Sequence, residues 1–432
     1  GTRPYAVAIA DLDGDGAPDL VTANVDAGTV SVLLGGGDGT FGAKADFPTG
    51  SRPYAVAIGD LDGDAQPDLA TANAYSGTVS VLPGKGNGTF GSRTDLTVGT
   101  QPRSVAIGDL DGDGQPDLVT ANYGAGTVSV LLGGGDGTFA AKTDFAMGAG
   151  PMGVALGDLD GDGDLDLVTA NYGASTLSVR LGGGDGTFGV KLDLATGKIA
   201  SSVAIGDLNG DGNADLVTEN VSVRLGNGNG TFGTETAVET GDRPGFVAIG
   251  DLNEDGNADV MTANYANTVS VLPGNGDGTF GARTDFGTGD YPVAVAAGDL
   301  DGDGRTDLAT ANSNASTVSV LLRSGTGATA VDPWLPARAP TLRLLAPRPN
   351  PSRGASEIRF LLPAAGAVDL AVFDLAGRRV RTLAAGTLLP AGEHGIRWDG
   401  RDDSGTPVRD GLCLVQVRAG GKVGVGKLIV LR

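Results

Sequence analysis

Seven times the chain writes an acidic nine-residue stretch, first as Asp11-Leu-Asp-Gly-Asp-Gly-Ala-Pro-Asp19. Positions 1, 3, 5 and 9 carry oxygen side chains in every copy. They are Asp11, Asp13, Asp15 and Asp19; Asp60, Asp62, Asp64 and Asp68; Asp109, Asp111, Asp113 and Asp117; and Asp158, Asp160, Asp162 and Asp166. The last three sets are Asp207, Asn209, Asp211 and Asp215; Asp251, Asn253, Asp255 and Asp259; and Asp299, Asp301, Asp303 and Asp307. Hard cations such as Ca²⁺ take roughly six to eight oxygens, and alternate short carboxylates on a tight loop can converge on one ion. Position 6 is Gly in six copies and Ala65 in the second, which suits a sharp turn with positive φ. The bidentate Glu that closes a helix-flanked calcium loop is absent, while the carbonyl of position 7 would add an oxygen. The expectation is one Ca²⁺ per loop, up to seven, held between strands. Solvated Asp-Gly turns are the plain alternative, but crowding four carboxylates without a cation is repulsive.

Little else invites chemistry. The only histidine, His394, sits beside Glu393 and reads as a surface turn residue, not an acid–base group. No Gly-x-Ser-x-Gly, His-Glu-x-x-His or Gly-Lys phosphate loop occurs. The paired carboxylates of a glycosidase cannot be singled out, because most acids belong to the loops. A binding protein is therefore expected and not an enzyme. A polysaccharide lyase or hydrolase is the second class, favoured if a pocket gathers Tyr, Arg and carboxylates from outside the loops. A structural spacer is the third.

The loops recur at intervals of 49 residues for four steps, then 44, then 48. A period near fifty with turn signals and no helical stripe suggests a propeller blade. In the first copy the strands are expected at Tyr5–Ala10, Asp19–Ala23, Thr29–Leu34 and Phe41–Phe47, with alternation in Val7-Ala-Ile9 and Val30-Ser-Val32. The recurrent Phe41, Phe90, Phe139, Phe188, Phe232 and Phe280 are expected as plugs between neighbouring blades. Seven blades would close a ring with only short, protected edges. Copy five is shortened between Asn220 and Val221. Copy seven lacks the Gly-Thr-Phe-Gly signature after Leu322, so its outer strand is either Gly327–Val331 or a segment upstream of Gly1.

In this arrangement the acidic loops lie at one end and the strand 2–3 and 4–1 connections at the other. The latter carry Tyr75, Tyr123, Tyr172 and Tyr265, with Arg52 and Arg103 close in sequence. Exposed Tyr and Arg are common binding anchors, which makes this end the candidate ligand face. The alternative, that these rings only cover hairpin edges, stays open at this level.

Net charge is −22 over 432 residues, and residues 1–330 hold 43 acids against 15 bases. A surface this acidic disfavours nucleic acid and anionic lipid. The single cysteine, Cys413, excludes an internal disulfide framework, and no apolar run is long enough for a helical membrane span. Numerous calcium loops make most sense where calcium is millimolar, outside the cell. Gly1-Thr-Arg-Pro-Tyr5 repeats as Gly50-Ser-Arg-Pro-Tyr54, so the chain begins inside the pattern and is expected to be a mature or truncated product.

The loops, with the pairs Phe41-Gly42, Phe90-Gly91, Phe188-Gly189, Phe232-Gly233 and Phe280-Gly281, resemble the FG-GAP repeat family, also described as VCBS-like repeats, as in the integrin α-subunit propeller. Copy three departs with Phe139-Ala140. The resemblance implies an all-β chain with a seven-bladed β-propeller over residues 1–332, calcium in blade loops, and roles in adhesion to a protein or glycan ligand. A proline-rich linker follows at 333–340. Residues 341–432 offer seven short strand-like runs between turns, which argues a small immunoglobulin-like β-sandwich. Pro349-Asn-Pro351, Phe373-Asp-Leu-Ala-Gly-Arg378, Trp398-Asp-Gly400 and the terminal Lys427–Arg432 resemble the Ig-like domain of flagellar hook-capping proteins and the sorting domain of type IX secretion substrates. That resemblance implies a module for export or cell-surface anchoring, although Gly411-Leu-Cys413 lacks the aromatic those families carry there.

Overall fold

Alternating apolar residues place each acidic loop between two strands, and the computed structural model shows how the repeat is completed. It describes residues 1–323, 342–345, 355–362, 365–373, 378–408, 411–420 and 422–430. The chain divides into two compact units, one on residues 1–323 and one on the described residues from Leu342 onward. No helix occurs among the described residues. The expected outer strand Gly327–Val331 and the linker at 333–340 lie outside them.

In the first copy β1 (Pro4–Ala10), β2 (Asp19–Asn24), β3 (Thr29–Leu33) and β4 (Ala45–Pro48) form one antiparallel sheet in sequence order. Five further four-stranded sheets repeat this order, and the seventh copy shows three strands among the described residues. The outer strand is shorter than Phe41–Phe47. Gly36 N–H donates to Thr40 O and Gly42 N–H to Leu34 O at 2.8 Å each, so the tight hairpin holds Phe41 in an isolated bridge to Gly35 and regular pairing resumes only at Ala45. Copy five keeps its loop, but its third and fourth strands shrink to Ser222–Arg224 and Thr236–Ala237.

Every residue of β2 is buried, so its polar side chains need partners. Thr22 Oγ1 donates to Asn24 Oδ1 at 3.1 Å, Asn24 Nδ2 to Ser31 Oγ at 2.8 Å, and Ser31 Oγ to Asp46 Oδ1 at 2.5 Å. The same relay runs from Thr120 to Asp144 and from Thr262 to Asp285. Gly50 N–H then donates to Ser80 Oγ of the next sheet at 3.0 Å.

Apolar contacts join successive sheets. Leu12, Val21, Val30 and Val32 pack with Leu69, Leu82 and Phe90 of the second sheet. Burying such a Phe contributes roughly 1.5–3 kcal/mol. Phe41 packs with Leu300 and Ala309 of the seventh sheet, and β1 contacts the seventh copy's first strand, Pro292–Gly298. A backbone bond repeats at these junctions: Gly88 N–H to Leu12 O at 3.0 Å, Gly137 to Leu61 at 3.2 Å, and Gly39 to Leu300 at 3.0 Å. Copy seven lacks the Gly-Thr-Phe-Gly signature of that hairpin, and no described backbone N–H donates to Leu252 O. Arg323 Nη1 takes its place, donating to Leu252 O at 2.6 Å and pairing with Glu254 at 3.1 Å.

That substitution predicts a weak seam. The third strand of copy seven, Thr317–Leu321, is half-exposed along most of its length, whereas Thr127–Leu131 is largely buried. Arg323→Ala should cost about 1–3 kcal/mol through the orphaned carbonyl. Its amides at 317–321 should also exchange faster than those at 127–131. Unchanged melting and equal exchange would show that the guanidinium is not what joins copies six and seven.

In the second unit Arg343–Leu344, Ser356–Leu362 and Gly392–Trp398 form one sheet. Arg379–Leu389, Gly366–Phe373, Gly411–Ala419 and Lys422–Val430 form the other, in that order. Their shared core contains Phe360, Val372, Trp398, Cys413 and Leu428. Trp398 is fully buried, and its Nε1–H donates to Arg401 O at 2.8 Å. His394 lies in the strand Gly392–Trp398, with Nε2 2.8 Å from Pro390 O.

Candidate functional site

At one end of the first unit the four acidic positions do not behave alike. Asp11 accepts Gly14 N–H at 2.8 Å and Gly16 N–H at 2.9 Å, and Asp15 accepts Ala17 N–H at 2.8 Å. Three carboxylates then gather within 4.8 Å of one another, as Asp11, Asp13 and Asp15 in the first copy and Asp60, Asp62 and Asp68 in the second. Comparable trios occur in copies three, four and seven among the described residues. Ala65 takes φ of 65°, left-handed like its glycine counterparts at 83° to 93°. In copies five and six position 3 is an amide: Asn209 Nδ2 donates to Asp211 at 3.0 Å, and Asn253 Nδ2 approaches Asp259 at 3.5 Å.

Position 9 has a second role that the spacing did not announce. Asp19 is buried, and its two oxygens accept Leu12 N–H and Gly35 N–H, both at 2.7 Å. It ties the acidic loop to the glycine hairpin between β3 and β4. A Cβ on Gly35 would collide with Pro18 O, which is why glycine stands there. Burial pushes the Asp19, Asp68, Asp117, Asp166, Asp215 and Asp307 carboxyls up, against the pull of these N–H donors, and pushes Asp259 up to about 6.

The donor set suits a hard cation: oxygens only, several per loop, with repulsion that a metal would relieve. In five loops positions 1 and 3, with 5 or 9, would hold it. The metal would supply charge neutralisation and cross-linking of the loop, not a reaction.

At the opposite end, the residue before the strand-1 proline is left-handed: Arg3, Arg52, Gln101, Arg243 and Tyr291 have φ between 53° and 60°. This turns its carbonyl toward the 2–3 hairpin, where Ala74 N–H meets Arg52 O at 2.9 Å and Tyr265 N–H meets Arg243 O at 3.0 Å. Side chains of both connections are thereby brought together. Arg103, Tyr123, Tyr172 and Tyr265 line one hollow of about 630 Å³. The Arg103 guanidinium lies 3.8 Å from the Tyr54 ring centroid and 5.5 Å from that of Tyr123.

Tyr75 and Arg52 do not join them. Arg52 stacks on Tyr75 at 4.1 Å, and Tyr75 borders a separate depression with Thr100 and Gln101. Tyr5, Lys198, Glu219 and Arg243 also line the hollow and were missed by sequence reasoning. The signal for Glu219 was available: it stands where the other copies have the buried alanines Ala23, Ala72, Ala121, Ala170, Ala263 and Ala311. Its carboxylate accepts Ser201 N–H at 2.8 Å and Ser202 N–H at 3.0 Å, donors that start a regular first strand elsewhere. Burial pushes Glu219 up, and it raises Tyr265 and Tyr5 as well, with neighbouring phenols adding to both. At neutral pH these phenols keep their protons and present O–H groups and ring faces to the hollow.

The sequence matches the FG-GAP-like repeat family over residues 11–71, 66–120, 109–169, 158–218 and 251–310. The chain belongs to that family. An FG-GAP repeat is matched again at 291–331, and the FlgD Ig-like domain at 352–422. A search of curated proteins returned no match.

Among solved structures, the FG-GAP-like unit is similar to BBS1N in its complex with ARL6DN, with TM-score 0.55 at 15% identity, covering 75% of this chain and 94% of that one. At that identity the likeness is one of fold. A periplasmic gluconolactonase of Pseudomonas aeruginosa follows with TM-score 0.49 at 18% identity, over 67% of this chain and 86% of that one. PorZ, a surface component of the type-IX secretion system of Porphyromonas gingivalis, has TM-score 0.44 at 14% identity, over 96% of this chain and 58% of that one. No helix among the described residues is long and apolar enough to cross a membrane.

Proposed function

We propose that this chain is a secreted or cell-surface binding protein. Its FG-GAP-like unit closes as a seven-bladed propeller held by calcium and recognises a protein or glycan at the tyrosine-bearing end. The C-terminal Ig-like domain serves export or anchoring. Closure is supported by the contact of β1 with Pro292–Gly298 and by the Gly39–Leu300 bond, which matches the bonds between consecutive copies. An extracellular site is supported by the loops, because calcium at millimolar levels fills even weak sites.

The observation that carries the binding reading is the hollow. Repeats that are otherwise near-copies place different side chains there, including Tyr5, Arg103, Met152 and Ser201 from equivalent sequence positions in copies one, three, four and five. An array of glycans and matrix proteins, probed in calcium, tests it. At least one ligand should bind, and Tyr123→Ala with Tyr172→Ala should weaken it by about tenfold or more, since truncating an anchor costs about 1–2 kcal/mol or more. Binding that survives the double variant unchanged would move the ligand elsewhere on the protein.

A second reading, a polysaccharide lyase or hydrolase, is favoured by one observation: the hollow gathers Tyr, Arg and a carboxylate outside the acidic loops, Glu219. Against it, the Glu219 oxygens are engaged by Ser201, Ser202 and Asn220, and the raised phenols of Tyr5 and Tyr265 are protonated at neutral pH. Turnover of a bound polysaccharide, lost in Glu219→Gln, would favour this reading over the first.

A further inference from the structure

The first unit carries 43 acids against 15 bases over residues 1–330, so a cation there should find a carboxylate. Nine of its Lys and Arg side chains do. The three that line the hollow, Arg103, Lys198 and Arg243, pair with no carboxylate among the described residues. Arg103 goes further: its Nε is buried without a hydrogen-bond partner. The Tyr54 and Tyr123 rings hold its guanidinium by its faces, which leaves the in-plane donors unspent. A guanidinium fixed this way is preorganised for the fork-like bonds it makes with a carboxylate. Arg243 stands near the Tyr265 ring, 5.9 Å from its centroid, and Lys198 is exposed at the rim.

Glu219, the one acidic residue on the wall, offsets at most one of the three positive charges and ion-pairs with none of them, its oxygens accepting instead from Ser201, Ser202 and Asn220. The lining is therefore cationic within a strongly acidic unit. Field lines of one sign focused in a concave site draw the opposite charge to it.

We infer that the hollow binds an acidic oligosaccharide, one whose sugar rings carry carboxylates. The inference rests on the reading of this hollow as the ligand site and deepens it. Carboxylates engage Arg103 and Arg243, with Lys198 at the entrance. Sugar rings lie on tyrosine faces, and their hydroxyls meet phenol groups and the Asn220 amide. A volume of about 630 Å³ falls within the range of small-ligand sites. An acidic peptide would match the cations but makes less use of the ring faces and scattered hydroxyl partners.

Titration calorimetry on the full chain, at one fixed saturating calcium concentration, tests this. The probes are a galacturonate trimer, an alginate trimer and a hyaluronan tetramer, the methyl-esterified form of each, and pentaglutamate. At least one acidic sugar should bind, more weakly as salt rises, and lose at least about tenfold in affinity on methyl esterification. Arg103→Gln and Arg243→Gln should each weaken binding by about tenfold, while Lys85→Gln, on an exposed hairpin outside the hollow, should not. Lys198→Gln, on an exposed residue, keeps the test valid if Arg103→Gln lowers the melting temperature. Esterified sugars binding as well as the acids would overturn the inference and leave the binding reading standing, as would preferential binding of pentaglutamate. Failure of all these probes also overturns it. The parent reading falls only if the wider array is blank too.

Discussion

Chelation of calcium should lower the melting temperature of the FG-GAP-like unit by on the order of ten degrees or more and leave the Ig-like unit unchanged. A metal bound only by the folded state adds about 2.7 kcal/mol per site at a hundredfold excess over its Kd. Several of the five carboxylate trios acting together would shift a unit of this size by that much. The metal-free protein should also respond to pH in the opposite sense to the loaded one. Asp259 is raised from the ordinary range to about 6 by burial, so the folded state holds a proton that the unfolded state has released. That stability is present below about pH 4 and is lost as pH rises through about 6. In chelator the first transition should therefore fall between pH 5 and 7. In excess calcium it should rise over the same interval, because the loops bind metal only when ionised. Identical melting curves with and without chelator at neutral pH would remove the metal from this account.

Replacing Asp117 by Ala should be among the most damaging single changes in the loops, and it should destabilise the protein with or without calcium. Asp117 is fully buried and accepts Leu110 N–H and Gly133 N–H, both at 2.7 Å. Its loss strands two buried donors at about 1–3 kcal/mol each, and opens the tie between the acidic loop and its neighbouring hairpin. Asp111→Asn changes a half-buried loop position whose only described donor is Asp113 N–H, at 3.3 Å. It should therefore cost stability in calcium and almost none in chelator. Thermal melts of both variants in the two conditions separate the roles. Equal calcium dependence for the two would mean that position 9 acts through metal alone.

These variants also divide what local pattern could express from what it could not. The fifty-residue period, the alternation in Val30-Ser-Val32 and the glycines of the hairpin are local, and local spacing selects strands and turns directly. The repeated sheets, the intact loop of the shortened fifth copy and the strands of the Ig-like unit were all legible in this way. The double hydrogen bond of position 9 was not, because Gly35 is remote from Asp19 until the sheet folds back. The hollow lay further out of reach. Tyr5, Arg103 and Arg243 meet only because residues from different copies are brought to one end of the unit, while Tyr75, one position further along its hairpin than Tyr123, is drawn to Arg52 instead. Arg323 carried no mark of its role beside Leu252, since copy seven's sequence shows only that the Gly-Thr-Phe-Gly signature is missing there. Side-chain types and spacing determined the repeat and the chemistry of its loops. Tertiary packing decided which side chains share a site, since that depends on contacts between residues dozens to hundreds of positions apart.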